Sequence, residues 1–103
     1  MLFAFLCKDK PDHLHLRMDT RPEHVEHLNR LNAEGTLKMA GPFLDGDGKP
    51  NGSLVIVEAA TLADAQALAD SDPYAKAGLF ESVEMPTALN ISFQLRLKYF
   101  AGL

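Results

Sequence analysis

Leu54-Val55-Ile56-Val57 is an apolar run without alternation, and it is the most informative stretch of the sequence. A run of this kind is typical of a strand that is buried on both faces of a sheet. The N-terminal stretch Leu2-Phe3-Ala4-Phe5-Leu6 has the same character. The sequence therefore predicts two strands in the middle of a sheet, each with two apolar faces that must be covered.

A first helix is predicted between these two strands. Thr20 and Glu23 have the spacing of a capping box, and Pro22 stands in the first turn, where a missing N–H is tolerated. Gly35 is the residue type expected just past the end of a helix. Residues 12–19 are ambiguous between a loop and one or two loose helical turns. The sequence thus predicts a helix that begins after Thr20 and ends before Gly35.

The remaining elements complete a β-α-β-β-α-β order. The residues from Thr36 to Phe43 are interpreted as a strand that ends at Gly41-Pro42, a second capping box at Thr61 predicts the second helix, and 79–85 forms a strand. This order indicates an α+β fold of the ferredoxin-like type, with the first and third strands in the middle. Two helices can cover only one face of the sheet, so we expect a homodimer, or a higher homo-oligomer, with sheets packed face to face.

The C-terminal tail has a pattern of its own. Apolar residues alternate strictly with polar ones, which predicts a half-buried strand. We therefore expect a single domain over 1–103, with a core at 1–86 and a C-terminal strand extension at 87–103. Pairing of this strand with the partner subunit is favoured over pairing with its own sheet, because Pro86 allows a sharp change of direction. The apolar positions are Leu89, Ile91, Phe93, Leu95 and Leu97.

Composition excludes several classes of protein. The 103 residues carry ten Lys and Arg against fourteen Asp and Glu, a net charge of −4, so a nucleic-acid partner is not expected. Cys7 is the single cysteine, which excludes an internal disulfide and favours a reducing cytoplasm. No apolar run reaches the length of a membrane span or a signal sequence, so no membrane association is expected.

The first helix carries polar side chains on its apolar side. At about 100° per residue, His24 lies about 40° from the stripe centre at Leu28, and Arg21 about 20° to the other side. An inward His and Arg near a helix start could bind an anion or transfer protons. The alternative is a satisfied core histidine and an arginine that covers a helix end. His27 falls at the border of the stripe, and no histidine spacing in the chain specifies a metal site.

Asp72, Tyr74 and Ser53 each have a structural interpretation as well as a functional one. Asp72 followed by Pro73 is a favoured helix start, which makes Asp72 a capping residue. Tyr74 fits a packing aromatic with a wet hydroxyl. Ser53 fits the first residue of a strand, since no nucleophile motif surrounds it. The residues alone leave these alternatives open.

An ordered set of short motifs resembles the YciI-like, or YCII-related domain, family over the stretch from Met1 to Val83. The set comprises Arg21-Pro22-x-His24, then Gly35-x-Leu37 running into Ala40-Gly41-Pro42, then Gly52-Ser53, then Asp72-Pro73-Tyr74. The resemblance implies a dimeric α+β barrel with a His–Asp pair in a cleft, and some relatives with this barrel act on chlorinated or oxidised aromatic rings. The matching positions are His24 and Asp72 for the pair, and Arg21, Gly41, Pro42, Ser53 and Tyr74 for the cleft. The family typically stops soon after its last strand, so residues 87–103 depart from it.

These observations lead to one favoured function and two alternatives. The favoured function is a cofactor-free, metal-free enzyme in which His24 abstracts a proton from a small molecule, an aromatic ring among the candidates, with elimination or isomerisation. Asp72 would orient His24, and Arg21 or the Ser53 hydroxyl would bind the developing negative charge. The first alternative is a non-catalytic dimeric module that binds a small ligand. The second is a structural subunit that acts through its C-terminal strand.

Overall fold

The order of strands in the sheet agrees with the expectation from the apolar runs. The computed structural model describes residues 1–86, and the sheet order there is β2-β3-β1-β4, with every neighbouring pair antiparallel. The two runs lie in β1 and β3, in the middle, so the α+β ferredoxin-like fold is confirmed. The elements are β1 (Leu2–Asp9), α1 (Leu14–Ala33), β2 (Leu37–Leu44), β3 (Pro50–Glu58), α2 (Leu62–Asp70), α3 (Pro73–Lys76) and β4 (Phe80–Glu84).

The first helix begins earlier than its sequence indicates. α1 starts at Leu14, so Thr20 and Pro22 lie inside the helix, and the predicted capping box at Thr20 is wrong. Pro22 has no N–H, so the helix lacks the hydrogen bond that would reach the carbonyl of Met18. The helix nevertheless continues through 14–19, because tertiary contacts of its first turns outweigh the local signal. Those contacts belong to the site described below.

The predicted ends of α1 and β2 had different outcomes. Gly35 has a φ of +77° directly after the helix, as a glycine that ends a helix requires. The predicted end of β2 at Gly41-Pro42 is wrong, because β2 continues to Leu44 and Pro42 pairs with Ser53. Pro42 is tolerated since β2 lies at the edge of the described sheet, where an absent N–H need not break a ladder.

The second half of the core follows its predicted pattern. Thr61 caps α2, and its hydroxyl accepts a hydrogen bond from the backbone N–H of Asp64 at 3.1 Å. Asp72 caps the short helix α3, where its carboxylate accepts from the N–H of Tyr74 at 2.9 Å. The last described strand, β4, lies within the predicted range. The capping motifs of this half therefore specify their helices locally.

The two faces of the sheet carry separate apolar clusters. One cluster packs with the helices, and the other contains strand residues only, within the part of the chain that is described. The middle strands are thus apolar on both faces. A second subunit over the helix-free face stays a prediction, which light scattering on dilute protein checks: a stable monomer would contradict it. The helix-side cluster is Phe5, Cys7, Val55, Val57 and Ala65, and the other is Ala4, Met39 and Ile56.

Two further predictions have no test in residues 1–86. The C-terminal strand and its pairing fall on residues 87–103, which lie outside the described part of the chain.

Within the described part, no helix is both long enough and apolar enough to cross a membrane. α1 has the length, but charged and polar side chains are distributed along it.

Candidate active site

A cavity of about 340 Å³ lies between α1 and the strands β2 and β3. Its walls combine apolar side chains, such as Val25 and Leu28, with three basic ones, Arg17, Arg21 and His24. Within residues 1–86, no Asp or Glu side chain lines it. Six of the seven residues selected from the sequence line the cavity: Arg21, His24, Gly41, Pro42, Ser53 and Tyr74.

The seventh residue, Asp72, reaches the cavity through His24. The Nδ1 atom of His24 lies 2.9 Å from Oδ1 of Asp72, and both side chains are buried. The same Oδ1 accepts the backbone N–H of Tyr74. Asp72 is therefore a helix cap and the hydrogen-bond partner of His24 at once, so its two interpretations are compatible. The other ring nitrogen of His24, Nε2, is the one available to a ligand.

The ring of Tyr74 joins the two polar parts of the site. It stacks on His24 with the ring centroids 3.9 Å apart and an interplanar angle of 17°. The guanidinium carbon of Arg17 lies 4.6 Å from the same centroid. Burial raises the pKa of Tyr74, and the nearby Arg17 and Arg21 offset this only in part. Tyr74 therefore remains a neutral phenol at neutral pH, and its ring fixes the plane of His24.

The second polar part is a buried cluster that sequence reasoning missed. Arg17 donates from Nε to Asp9 Oδ2 at 2.6 Å and from Nη2 to Asp9 Oδ1 at 2.9 Å. Nη2 also donates to Oγ of Ser53 at 2.8 Å. Burial lowers the pKa of Arg17, but the hydrogen bonds and charge of Asp9 outweigh it, so the pKa is raised. Arg17 is thus a permanent cation that Asp9 compensates.

One sequence signal could have identified Arg17. It precedes His24 by seven residues, about two helical turns, which places both on one helix face if the helix extends that far. The capping signal at Thr20 argued against that extension. Asp9 also follows Cys7 by two residues in a strand, so the two share a face. The missed feature was therefore the start of α1 rather than the chemistry of these residues.

The close approach of β3 to β1 sets the position of Ser53. A Cβ atom on Gly52 would lie 2.5 Å from the carbonyl oxygen of Cys7, a distance that forces the backbone to shift. Glycine at this position lets β3 carry Ser53 past Cys7 and up to Arg17. Position 52 thus requires glycine for steric reasons, and the buried Ser53 hydroxyl follows directly after it. A strand-opening role for Ser53 is wrong, because β3 already begins at Pro50.

Arg21 differs from its predicted position. It lies in the middle of α1, not near its start, and it is exposed rather than buried. The positive potential of a helix N-terminus therefore does not apply to it. Arg21 still lines the cavity, and it forms no ion pair with a carboxylate of residues 1–86. It is a cation at the rim.

Two other groups near the site have altered acidity. Burial, with the charge of Asp72, raises the pKa of Cys7 to about 12, which keeps the thiol protonated and unsuited to nucleophilic attack. Burial also lowers the pKa of His27, a buried residue that does not line the cavity. No group of three His, Cys, Asp or Glu side chains within residues 1–86 has the arrangement of a metal site.

Comparison with known proteins identifies similar sequences and a similar structure. The model of the family described as YCII-related domain matches residues 1–87. Protein YciI of Escherichia coli O6:H1 is 41% identical over 91 residues, which cover 82% of this chain and 93% of that protein. Derivative of benzaldehyde biosynthesis cluster protein C of Emericella nidulans is 35% identical over 72 residues, 63% of this chain and 74% of that protein.

Among solved structures, the chain is similar to 5-chloro-2-hydroxyhydroquinone dehydrochlorinase (TftG) from Burkholderia phenoliruptrix AC1100, in complex with 2,5-dihydroxybenzoquinone. The TM-score is 0.78 at 31% sequence identity, and the match covers 85% of this chain and 93% of that one.

Proposed function

The chain belongs to the YCII-related domain family, and we propose that it is a cofactor-free enzyme whose His24–Asp72 pair abstracts a proton from a small hydroxylated aromatic molecule. The observation that carries this proposal is the 2.9 Å contact between His24 Nδ1 and Asp72 Oδ1 at the wall of the cavity. It leaves Nε2 as the nitrogen that can meet a substrate. A buried pair of this kind is a typical general base.

Asp72 supports the base in two ways. Its carboxylate accepts the Nδ1 hydrogen, which selects the tautomer with a free electron pair on Nε2. It also stabilises the imidazolium that forms when Nε2 takes a proton. The stacked ring of Tyr74 keeps the imidazole plane fixed during this change. His24 is therefore the catalytic residue in this proposal, and Asp72 and Tyr74 are positioning residues.

The shape and lining of the cavity favour a single substituted ring. Its volume of about 340 Å³ is at the small end of the range for small-molecule sites, roughly 300–1,000 Å³. Apolar walls suit a ring face, while Arg21 and Ser53 suit ring oxygens. TftG, a related protein, is a dehydrochlorinase for a chlorinated hydroxyhydroquinone. A hydroxylated ring with a leaving group is thus the proposed substrate class.

The proposed elimination needs no oxidant or reductant. Nε2 of His24 takes a proton from a ring hydroxyl, and the electron pair left behind moves through the ring to the carbon that bears the leaving group, which takes a proton and becomes tetrahedral. Loss of a second hydroxyl proton then drives out a leaving group such as chloride with its bonding pair, so that in total the substrate loses one proton and one anion and becomes a quinone. Negative charge that develops on a ring oxygen is stabilised by the Ser53 hydroxyl or by Arg21.

Chloride release from 5-chloro-2-hydroxyhydroquinone, measured without oxygen, tests this function. The unaltered protein should release chloride above the buffer rate, and His24→Gln should lower that rate by about 10²- to 10⁴-fold. His27→Gln is the matched control, since His27 is buried one turn further along α1 but does not line the cavity. It should keep the rate of the unaltered protein.

A second measurement tests proton abstraction by itself, whatever the leaving group of the true substrate is. Proton abstraction alone would exchange solvent deuterium into the ring C–H positions of 2,5-dihydroxybenzoquinone. If the protein gives neither chloride release nor His24-dependent exchange, the proposed function is wrong. Binding of this quinone without either reaction would instead identify a non-catalytic ligand-binding module.

A further inference from the structure

We propose that the buried Arg17–Asp9 pair is a positioning device that turns the Ser53 hydroxyl into a fixed hydrogen-bond donor for a phenolic oxyanion in the cavity. The inference deepens the proposed function and rests on its substrate class. It assigns a role to Arg17 and Asp9, which the proton-transfer scheme leaves unused. Arg17 is then a positioning residue that sets specificity, since it acts through Ser53.

Arg17 and Ser53 differ in the hydrogen bonds that they can donate and accept. A guanidinium can only donate, and a serine hydroxyl has one hydrogen to donate and lone pairs that accept. Oγ of Ser53 lies 2.8 Å from Nη2 of Arg17, so Oγ must be the acceptor in this bond. Within residues 1–86, Arg17 is the one side chain hydrogen-bonded to Oγ. The hydroxyl hydrogen of Ser53 is thus left to a ligand.

The three hydrogen-bonded side chains are shielded from water. Arg17, Asp9 and Ser53 are 4%, 8% and 3% exposed, so water competes little for their hydrogen bonds. Asp9 engages Arg17 through both carboxylate oxygens, which fixes the guanidinium plane and hence the direction from which Ser53 is held. A polarised donor in a low-dielectric site binds an oxyanion more strongly than a freely rotating hydroxyl in water does.

The charges around the Ser53 hydroxyl also favour an anionic ligand. Asp9 neutralises Arg17, so the pair presents a fixed dipole rather than a free cation. Ser53 lines the cavity, and no Asp or Glu side chain of the described residues 1–86 lines it to repel an anion. His24, which lies on the same face of α1 as Arg17, would take the proton whose loss creates that anion. The base would thus form the oxyanion, and the Ser53 hydroxyl would donate a hydrogen bond to it.

Two matched probes separate oxyanion binding from general binding. 4-Nitrophenol is used at mildly alkaline pH, where it is ionised, and 4-nitroanisole has the same ring without an ionisable oxygen. The unaltered protein should prefer the phenolate. Ser53→Ala should weaken phenolate binding by about 10- to 100-fold, the range for a hydrogen bond to a charged group, and leave 4-nitroanisole binding within about threefold.

Substitution of Arg17 tests whether it acts through Ser53. Arg17→Lys keeps a charge for Asp9 but cannot span both partners, so it should weaken phenolate binding by about 10-fold. In a protein that already carries Ser53→Ala, Arg17→Lys should add nothing, because the two residues act as one unit. Arg17→Met combined with Asp9→Leu removes the pair without leaving a buried charge, and should lose the phenolate preference while staying folded.

Several outcomes overturn this inference. Additive losses in the double variant would mean that Arg17 contacts the ligand directly. Equal losses for both probes would mean a structural role, and no phenolate preference in the unaltered protein would mean that no such subsite exists. Phenolate preference that depends on Ser53 and Arg17, without chloride release or deuterium exchange, would support the inference and contradict the proposed function alone.

Discussion

Two buried carboxylates engage one face of α1, and they hold their partners in different ways. Asp9 binds Arg17 through two hydrogen bonds, while Asp72 binds His24 through one. Arginine stays charged in proteins, whereas imidazole gains and loses a proton near neutral pH. In the proposed function, the first pair therefore fixes geometry and polarity, and the second transfers a proton. Tyr74 contacts both Arg17 and His24, so the Arg17–Asp9 pair (the static pair) and the His24–Asp72 pair (the titratable pair) form one site.

His27 extends the comparison to a histidine without such a partner. It is as buried as His24 and lies one turn further along α1. No carboxylate of residues 1–86 forms a hydrogen bond with it. Burial is the largest cause of its lowered pKa, and Arg30, His24 and Lys76 act in the same direction against Asp72. Burial without a bonded carboxylate thus favours the neutral ring of His27.

The largest expected effect comes from breaking the static pair. Asp9→Asn leaves Arg17 as a buried cation without its anion, which should lower the free energy of unfolding by about 3–5 kcal/mol. Urea denaturation followed by circular dichroism measures this.

The matched control for Asp9→Asn is Glu81→Gln, which removes the exposed Lys8–Glu81 pair at 3.5 Å. An exposed pair contributes about 0–1 kcal/mol, so this variant should differ little from the unaltered protein. Equal stability of the two variants would contradict the static role given to the Arg17–Asp9 pair.

The corresponding change in the titratable pair should affect catalysis more than folding. Asn caps a helix about as well as Asp, so Asp72→Asn should lower the free energy of unfolding by less than about 1 kcal/mol. It removes the charge that stabilises the imidazolium, so chloride release should fall by about 10²-fold or more. Denaturation and kinetics on one preparation measure both. A variant with full activity would show that His24 does not depend on the Asp72 charge.

The smallest expected effect concerns pH and His27. Its pKa is lowered in the folded protein, so the unfolded chain binds more protons as the pH falls. The stability linked to His27 is therefore complete above its ordinary pKa of about 6.5 and is lost as the pH falls through the lowered value. His27→Gln should reduce the loss of stability below this pH. Denaturation curves for both proteins from neutral to mildly acidic pH measure the difference, and identical slopes would contradict the assignment.

Local patterns were enough to predict much of the fold. The apolar runs 2–6 and 54–57 fixed the middle strands, because each side chain of a doubly covered strand must be apolar. Thr61 and Asp72 predicted their helix starts, since a capping hydrogen bond joins residues only two or three apart. Gly35 predicted the end of α1 for the same reason. These features depend on neighbours in the chain, which the sequence lists directly.

The candidate site was predicted only in part. The phase of α1 and the family resemblance together pointed to His24 and Asp72, 48 residues apart in sequence and 2.9 Å apart in space. Arg17 was missed because the capping signal at Thr20 moved the predicted start of the helix past it. Arg21 was placed inward, although it is exposed at the cavity rim.

The sequence by itself determined the order of elements, the two-sided apolar core and the residue types available for proton transfer. The tertiary structure decided where α1 begins and which side chain each buried carboxylate binds. The physical reason is the range of the interactions. A cap or an apolar stripe is satisfied within a few residues, whereas Arg17 can join its helix to β1 and β3 only after the sheet has brought Asp9 and Ser53 together. Contacts between distant segments then outweigh the weak local preference that Thr20 and Pro22 express.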